Sequence, residues 1–130
     1  LFRSVSGAPL QPAVATALDT GDEWVDALCL SFESRRDRLA AALRDIGFGV
    51  FDSFGTYFLT ADPRPLGFDD GRTFCAELIE RVGVAAIPMS AFCDPDASHA
   101  EQWRPLVRFA FCKREQTLDE AIRRLGALRP

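Results

Sequence analysis

The stretch Leu106-Val107-Arg108-Phe109-Ala110-Phe111 alternates two chemistries along an extended chain. Successive side chains of a strand point to opposite faces. Val107, Phe109 and Phe111 therefore share one apolar face, and Leu106, Arg108 and Ala110 share the other. The first face has to be buried against another layer. The second carries an arginine among apolar neighbours, where it must pair or face a cleft, because an unpaired buried guanidinium is very costly. Its planar fork matches a carboxylate bidentately. A salt bridge to one of the 19 acidic residues, or a sheet edge in solvent, would account for Arg108 in purely structural terms.

Downstream of this strand, Thr117 and Glu120 have capping-box spacing and predict the head of a last helix. Leu118, Ala121, Ile122, Leu125 and Leu128 supply its apolar stripe. Upstream, Met89 to Arg104 loses all periodicity and predicts a long loop, a kind of segment that is often functional. Val84-Ala85-Ala86-Ile87 predicts a short buried strand ending at Pro88. Asp70 is placed to cap a helix carrying Phe74, Leu78 and Val82 and closed by Gly83. Asp62 to Gly67 contains two prolines and predicts a loop. Gly49-Val50-Phe51 and Thr56-Tyr57-Phe58-Leu59-Thr60 predict strands.

Further upstream, Asp22 suits the N-cap of a long helix ended by Gly47. Its stripe runs through Trp24, Leu28, Phe32, Leu39, Leu43 and Ile46. A shorter helix starts at Pro12, after a loop over Gly7 to Pro12. The order helix, helix, strand, strand, helix, strand, strand, helix predicts an α+β architecture, a small sheet covered by helices. There is no internal repeat.

The chain has 130 residues, enough for one domain with its own core. No run reaches the roughly 18 apolar residues of a membrane-spanning helix. A net charge of −4 and a pI of about 4.9 speak against nucleic acid or an anionic membrane as partner. Cys29, Cys75, Cys93 and Cys112 show no Cys-x-x-Cys spacing and read as buried free thiols of a cytoplasmic protein. No metal site is expected, because the ligand-type residues are scattered. His99 reads as a solvated loop histidine. Gly55-Thr56-Tyr57 opens a strand with a permissive backbone and a phenolic hydroxyl. The 15 basic residues include one lysine, Lys113. No Ser-His-Asp set, P-loop or Gly-x-Gly-x-x-Gly occurs.

Five phrases in order carry a resemblance. They are Ala8-Pro9-Leu10-Gln11-Pro12-Ala13-Val14-Ala15, Gly55-Thr56-Tyr57-Phe58-Leu59, Gly83-Val84-Ala85-Ala86-Ile87-Pro88-Met89-Ser90-Ala91-Phe92, Val107-Arg108-Phe109-Ala110-Phe111-Cys112-Lys113, and Glu115 to Leu125. Together they resemble the carboxy-terminal part of the class I/II, fold-type I aminotransferases. The nearest branch is that of the kynurenine, methionine and N-succinyldiaminopimelate enzymes.

The resemblance implies a small carboxy-terminal domain over residues 22–130, with residues 1–21 belonging to the large-domain or interdomain region. It implies pyridoxal 5'-phosphate as cofactor of the full-length protein, amino-acid and 2-oxo-acid substrates, and a homodimer. Arg108 falls where the family grips the substrate α-carboxylate. Tyr57, Gly55 and the Met89 to Phe92 loop would lie near the substrate, and Ser4 to Gln11 near the partner subunit. The family's Schiff-base lysine sits upstream of these phrases, and Lys113 does not match it. The expectation is a carboxy-terminal fragment with no catalytic or cofactor-binding residue of its own. The rival expectation is a non-catalytic α+β binding or oligomerisation module. The reading frame upstream of Leu1 discriminates the two.

Overall fold

Helix α1 (Gln11–Leu18) has proline in its first turn, where a missing amide proton costs nothing. The computed structural model describes residues 10–94, 96–98 and 100–129, so His99 and most of Ser4 to Gln11 lie outside the described residues. The chain divides into two units, Leu1–Leu30 and Ser31–Pro130. In the described part of the first unit, α1 buries no residue, and the opening turns of α2 (Glu23–Ile46) leave Trp24, Leu28 and Leu30 exposed. The apolar stripe expected along all of α2 is therefore buried only in its second half, at Leu39, Leu43 and Ile46.

In the second unit, α2 stops at Gly47, whose φ of +116° suits a residue without Cβ. The amide of Gly47 donates to Arg44 O and that of Phe48 to Leu43 O, closing the helix with a Schellman pair. Four strands follow: β1 (Gly49–Val50), β2 (Phe58–Asp62), β3 (Ile87–Pro88) and β4 (Val107–Ala110). All pair antiparallel in the order β1-β2-β4-β3. Helix α3 (Gly71–Val82) lies between β2 and β3 in sequence, the short α4 (Ala100–Trp103) between β3 and β4, and α5 (Glu115–Leu125) after β4.

Alternation along β4 works out as expected. Val107 and Phe109 are buried, while Arg108 and Ala110 are half-buried. Strand β2 matches it, with Leu59 and Ala61 inward and Phe58, Thr60 and Asp62 outward. The inward residues join Leu39, Leu43, Phe48, Phe74, Leu78, Leu118 and Leu125 in one core. Phe48 packs edge-on against Phe74 at 5.7 Å and Phe109 at 5.9 Å, the favoured aromatic geometry.

Several local expectations change. Strand β2 starts at Phe58, two residues late, because Thr56 adopts a left-handed φ of +60° that no strand accommodates. Of the expected Val84 to Ile87 strand only Ile87 pairs with β4, together with the following Pro88. The expected loop after Met89 contains a 3-10 turn, Met89–Phe92, besides α4. The capping box fails. Helix α5 begins at Glu115 with no side-chain cap, and Glu120 instead bonds Arg123 and Arg124 on the same helix. Of the four free thiols Cys75 is buried, but Cys29 is exposed and Cys93 and Cys112 are half-buried.

Helix α3 seats against the approach to β4. The Asp70 carboxylate accepts the amides of Arg72 at 3.0 Å and Thr73 at 2.9 Å, the expected cap. The Gly71 amide donates to Arg104 O at 2.9 Å. A Cβ at Gly71 would stand 2.8 Å from Leu106 O and 3.0 Å from Arg104 O, so backbone would have to move. Gly71→Ala is expected to destabilise the chain by about 1–3 kcal/mol in denaturant unfolding. Gly126→Ala, whose Cβ meets nothing within 4 Å, is the control and should be neutral or slightly stabilising. Equal midpoints for the two variants would contradict the packing described.

Candidate functional site

The outer face of the sheet carries the candidate site. Arg108 lies on the central strand β4, opposite Thr60 of β2 on one side and Ile87 of β3 on the other. It is therefore not at a sheet edge, and one structural account of it is gone. The other, a salt bridge, also fails: among the described residues Arg108 forms no ion pair. Asp62 shares the outer face of β2, one strand position beyond Thr60 on that side, but Arg64 takes both its oxygens at 3.0 Å or less. These bonds hold the Asp62 carboxyl below its usual range, although partial burial opposes the shift.

The Arg108 guanidinium instead sits over the Phe58 ring, 4.0 Å from its centroid, and over the Phe92 ring at 4.7 Å. Both contacts have cation–π geometry. Neither ring offers a hydrogen-bond acceptor of the kind that a guanidinium edge needs. The fork of in-plane donors thus remains available to an incoming planar anion, and a carboxylate is the side-chain-sized group that matches it.

Phe92 reaches Arg108 because the turn Met89–Phe92 is tied down at several points. The Met89 amide donates to Leu106 O at 2.8 Å, and Arg72 Nε donates to Ser90 Oγ at 3.1 Å. The Cys93 thiol bonds back to Met89 O at 3.4 Å. Arg72 belongs to the first turn of α3, so the cap at Asp70 indirectly sets this turn. Asp70 also accepts from Arg104 Nε at 3.1 Å. The Thr73 amide first, and the Arg104 side chain next, hold its carboxyl below the usual range.

Of the other residues singled out in the sequence, Tyr57 is about half exposed, its ring centroid 4.6 Å from that of Phe58. It stands next to the ring under Arg108. Gly55 makes none of these contacts, and a Cβ there would meet nothing within 4 Å. Lys113 lies elsewhere. It lines an apolar groove of about 560 Å³ together with Val84, Leu118, Glu120 and Arg124, and Arg108 is not part of that lining. Cys75 is pushed up to about 11 by burial and by the nearby Asp70 charge, which leaves it an unreactive thiol. No group of His, Cys, Asp and Glu capable of holding a metal occurs among the described residues. Among them, no helix is long and apolar enough to cross a membrane. Sequence reading missed Phe58 and Phe92 as partners of Arg108. The one available signal was that Phe58 shares the outward parity of the paired strands.

Comparison with known proteins gives the family. The family model for aminotransferase class I and II matches residues 3–125. A probable N-succinyldiaminopimelate aminotransferase of Mycobacterium tuberculosis is 69% identical over 128 residues, covering 95% of this chain and 32% of the relative. The methionine aminotransferase of Escherichia coli is 37% identical over 120 residues, covering 92% of this chain and 30% of the relative. The solved structure of N-succinyldiaminopimelate aminotransferase from M. tuberculosis superposes with a TM-score of 0.86 at 69% identity, over 94% of this chain and 31% of that one. The chain belongs to the class I and II aminotransferase family. It spans about a third of the length of the curated relatives it matches.

The depressed Asp70 carboxyl has a stability consequence. A carboxylate whose pKa is lower folded than unfolded stabilises the fold above its unfolded pKa and loses that contribution as pH falls through the folded one. Asp70→Asn should therefore lose less stability than the parent chain as pH falls below about 4, the ordinary aspartate value. Parallel stability–pH curves from denaturant titrations would contradict the cap and Arg104 contacts.

Proposed function

We propose that this chain is the carboxy-terminal, substrate-orienting part of a pyridoxal-phosphate aminotransferase that moves an amino group between an amino acid and a 2-oxo acid. Arg108 takes the substrate α-carboxylate in a bidentate pair. Tyr57 and the Met89–Phe92 turn flank the bound substrate, and Gly55 lies in the bend that leads into β2. The observation that carries the reading is the Arg108 fork, half-buried on a central strand, turned to two aromatic rings and engaged by no acid among the described residues.

The high identity to an N-succinyldiaminopimelate enzyme supports that substrate class. We take residues 22–130 as the small domain and residues 1–21 as a connection to the large one. The exposed Trp24, Leu28 and Leu30 in the first unit suit contact with the remainder of the protein or with a second subunit of a homodimer. The four unpaired cysteines suit a reducing cytoplasm.

When bound, pyridoxal phosphate supplies the electron sink for amino-group transfer. The residues of this chain do not themselves fit that group. Its single lysine is Lys113, and Lys113 lines a groove that excludes Arg108. On this reading the cofactor-holding residues lie in the part of the full-length protein that this chain does not include. What this chain contributes is orientation. A carboxylate fixed by two parallel hydrogen bonds leaves the substrate little rotational freedom.

In the full-length enzyme, Arg108→Ala should raise KM for both the amino acid and the oxo acid about ten- to hundredfold, the scale set by one lost charged pair. The absorbance band of the bound cofactor should stay unchanged. Unaltered KM values would remove Arg108 from the site. The 130-residue chain alone, supplied with pyridoxal phosphate, should show no transamination in a coupled assay. Turnover by this chain would contradict the division of labour.

A further inference from the structure

Resting on the assignment of the substrate carboxylate to Arg108, we infer that Phe92 is a positioning residue which, with Phe58, fixes the plane of the Arg108 guanidinium before substrate arrives. Arginine has four side-chain rotatable bonds, and in mid-strand its head would otherwise sample many orientations. Two rings lie within 4.0 and 4.7 Å of the guanidinium carbon, and neither competes for its in-plane donors. Two rings against the guanidinium restrict the head, and neither is a carboxylate-like acceptor that would occupy its hydrogen-bonding edge, which is what preorganisation for a planar anion requires.

The two rings are held very differently. Phe58 is part of β2 and paired across the sheet with Ala110, so its place follows from the strand register. Phe92 is 58% exposed, at the end of a turn joined to the rest of the chain by Met89 N to Leu106 O and by Arg72 Nε to Ser90 Oγ. An exposed phenylalanine is not held there by burial. Among the described residues, the charged group its ring meets is the Arg108 guanidinium. The turn thus delivers an aromatic face to Arg108 from outside the sheet, and its tether runs through α3. An aliphatic side chain of similar size would fill the same space without the ring's electrostatic attraction for a cation.

The test uses the full-length enzyme with Phe92→Leu, Phe92→Tyr and Arg108→Ala, reading KM and kcat for amino and oxo acid separately. Calorimetry of hydrocinnamate, a non-reactive carboxylate, adds a binding readout free of turnover. Phe92→Leu should raise KM for both substrates and the Kd for hydrocinnamate about three- to twentyfold, with kcat falling less, on the scale of one partly exposed cation–π contact. Phe92→Tyr, which keeps the ring face, should restore all three constants to within about twofold of the parent. If Arg108→Ala weakens carboxylate binding and Phe92→Leu does not, the positioning role is wrong and the reading of Arg108 stands. If Tyr fails to rescue what Leu loses, Phe92 acts as packing and the inference is overturned. If Arg108→Ala itself leaves hydrocinnamate binding intact, the underlying reading falls first.

Discussion

The two-residue alternation of β4 is the constraint on which the rest of this structure depends. Val107 and Phe109 are locked into the core from one face, and this leaves Arg108 no choice but the other. A slip of one residue in register would bury the guanidinium and expose the phenylalanine, so core packing and site geometry are specified by the same pairing. The neighbours enforce it from both sides, Thr60 and Ile87 standing opposite Arg108. The core therefore works as a positioning device: helices α2, α3 and α5 cover one face of the sheet, and the opposite face holds the arginine.

Charge pairing around the sheet keeps that arginine free. Asp62 is the acid that shares its face, and Arg64 consumes both its oxygens. Asp70 spends its carboxylate on the head of α3 and on Arg104. Glu120 is drawn down to about 2 from the ordinary 4.5 by Arg123 and then Arg124, both on α5 itself. With 14 arginines against one lysine, most of the described ion pairs are arginine forks, and the acids nearest the site are already engaged. Among the described residues Arg108 lies over rings instead of acids, the arrangement the proposed carboxylate binding requires.

Much of this could be read from the sequence, and the exceptions have physical causes. Period-two alternation revealed β4 and the aim of Arg108. The caps at Asp70 and Gly83 and the stop at Gly47 were visible because capping chemistry is local. Thr117 and Glu120 had the right spacing for a cap, but Glu120 found stronger partners one turn on, and the helix started two residues before Thr117. The start of β2 was missed because nothing in Thr56 itself announces a left-handed backbone. The pairing of Arg108 with Phe58 and Phe92 joins residues from three segments, and no periodicity encodes such a contact. Trp24 and Leu28 belong to the apolar stripe of α2 and are exposed here. Hydrophobic spacing shows that a face needs cover, not which surface supplies it.

The most direct test of the account is a crystal structure of the full-length enzyme with a bound amino-acid or oxo-acid analogue. The account predicts both terminal nitrogens, or Nε and one terminal nitrogen, of Arg108 within about 2.7–3.0 Å of the two carboxylate oxygens, with the guanidinium still over Phe58 and Phe92. A ligand carboxylate held by another residue, with Arg108 turned to an acidic side chain, would contradict it.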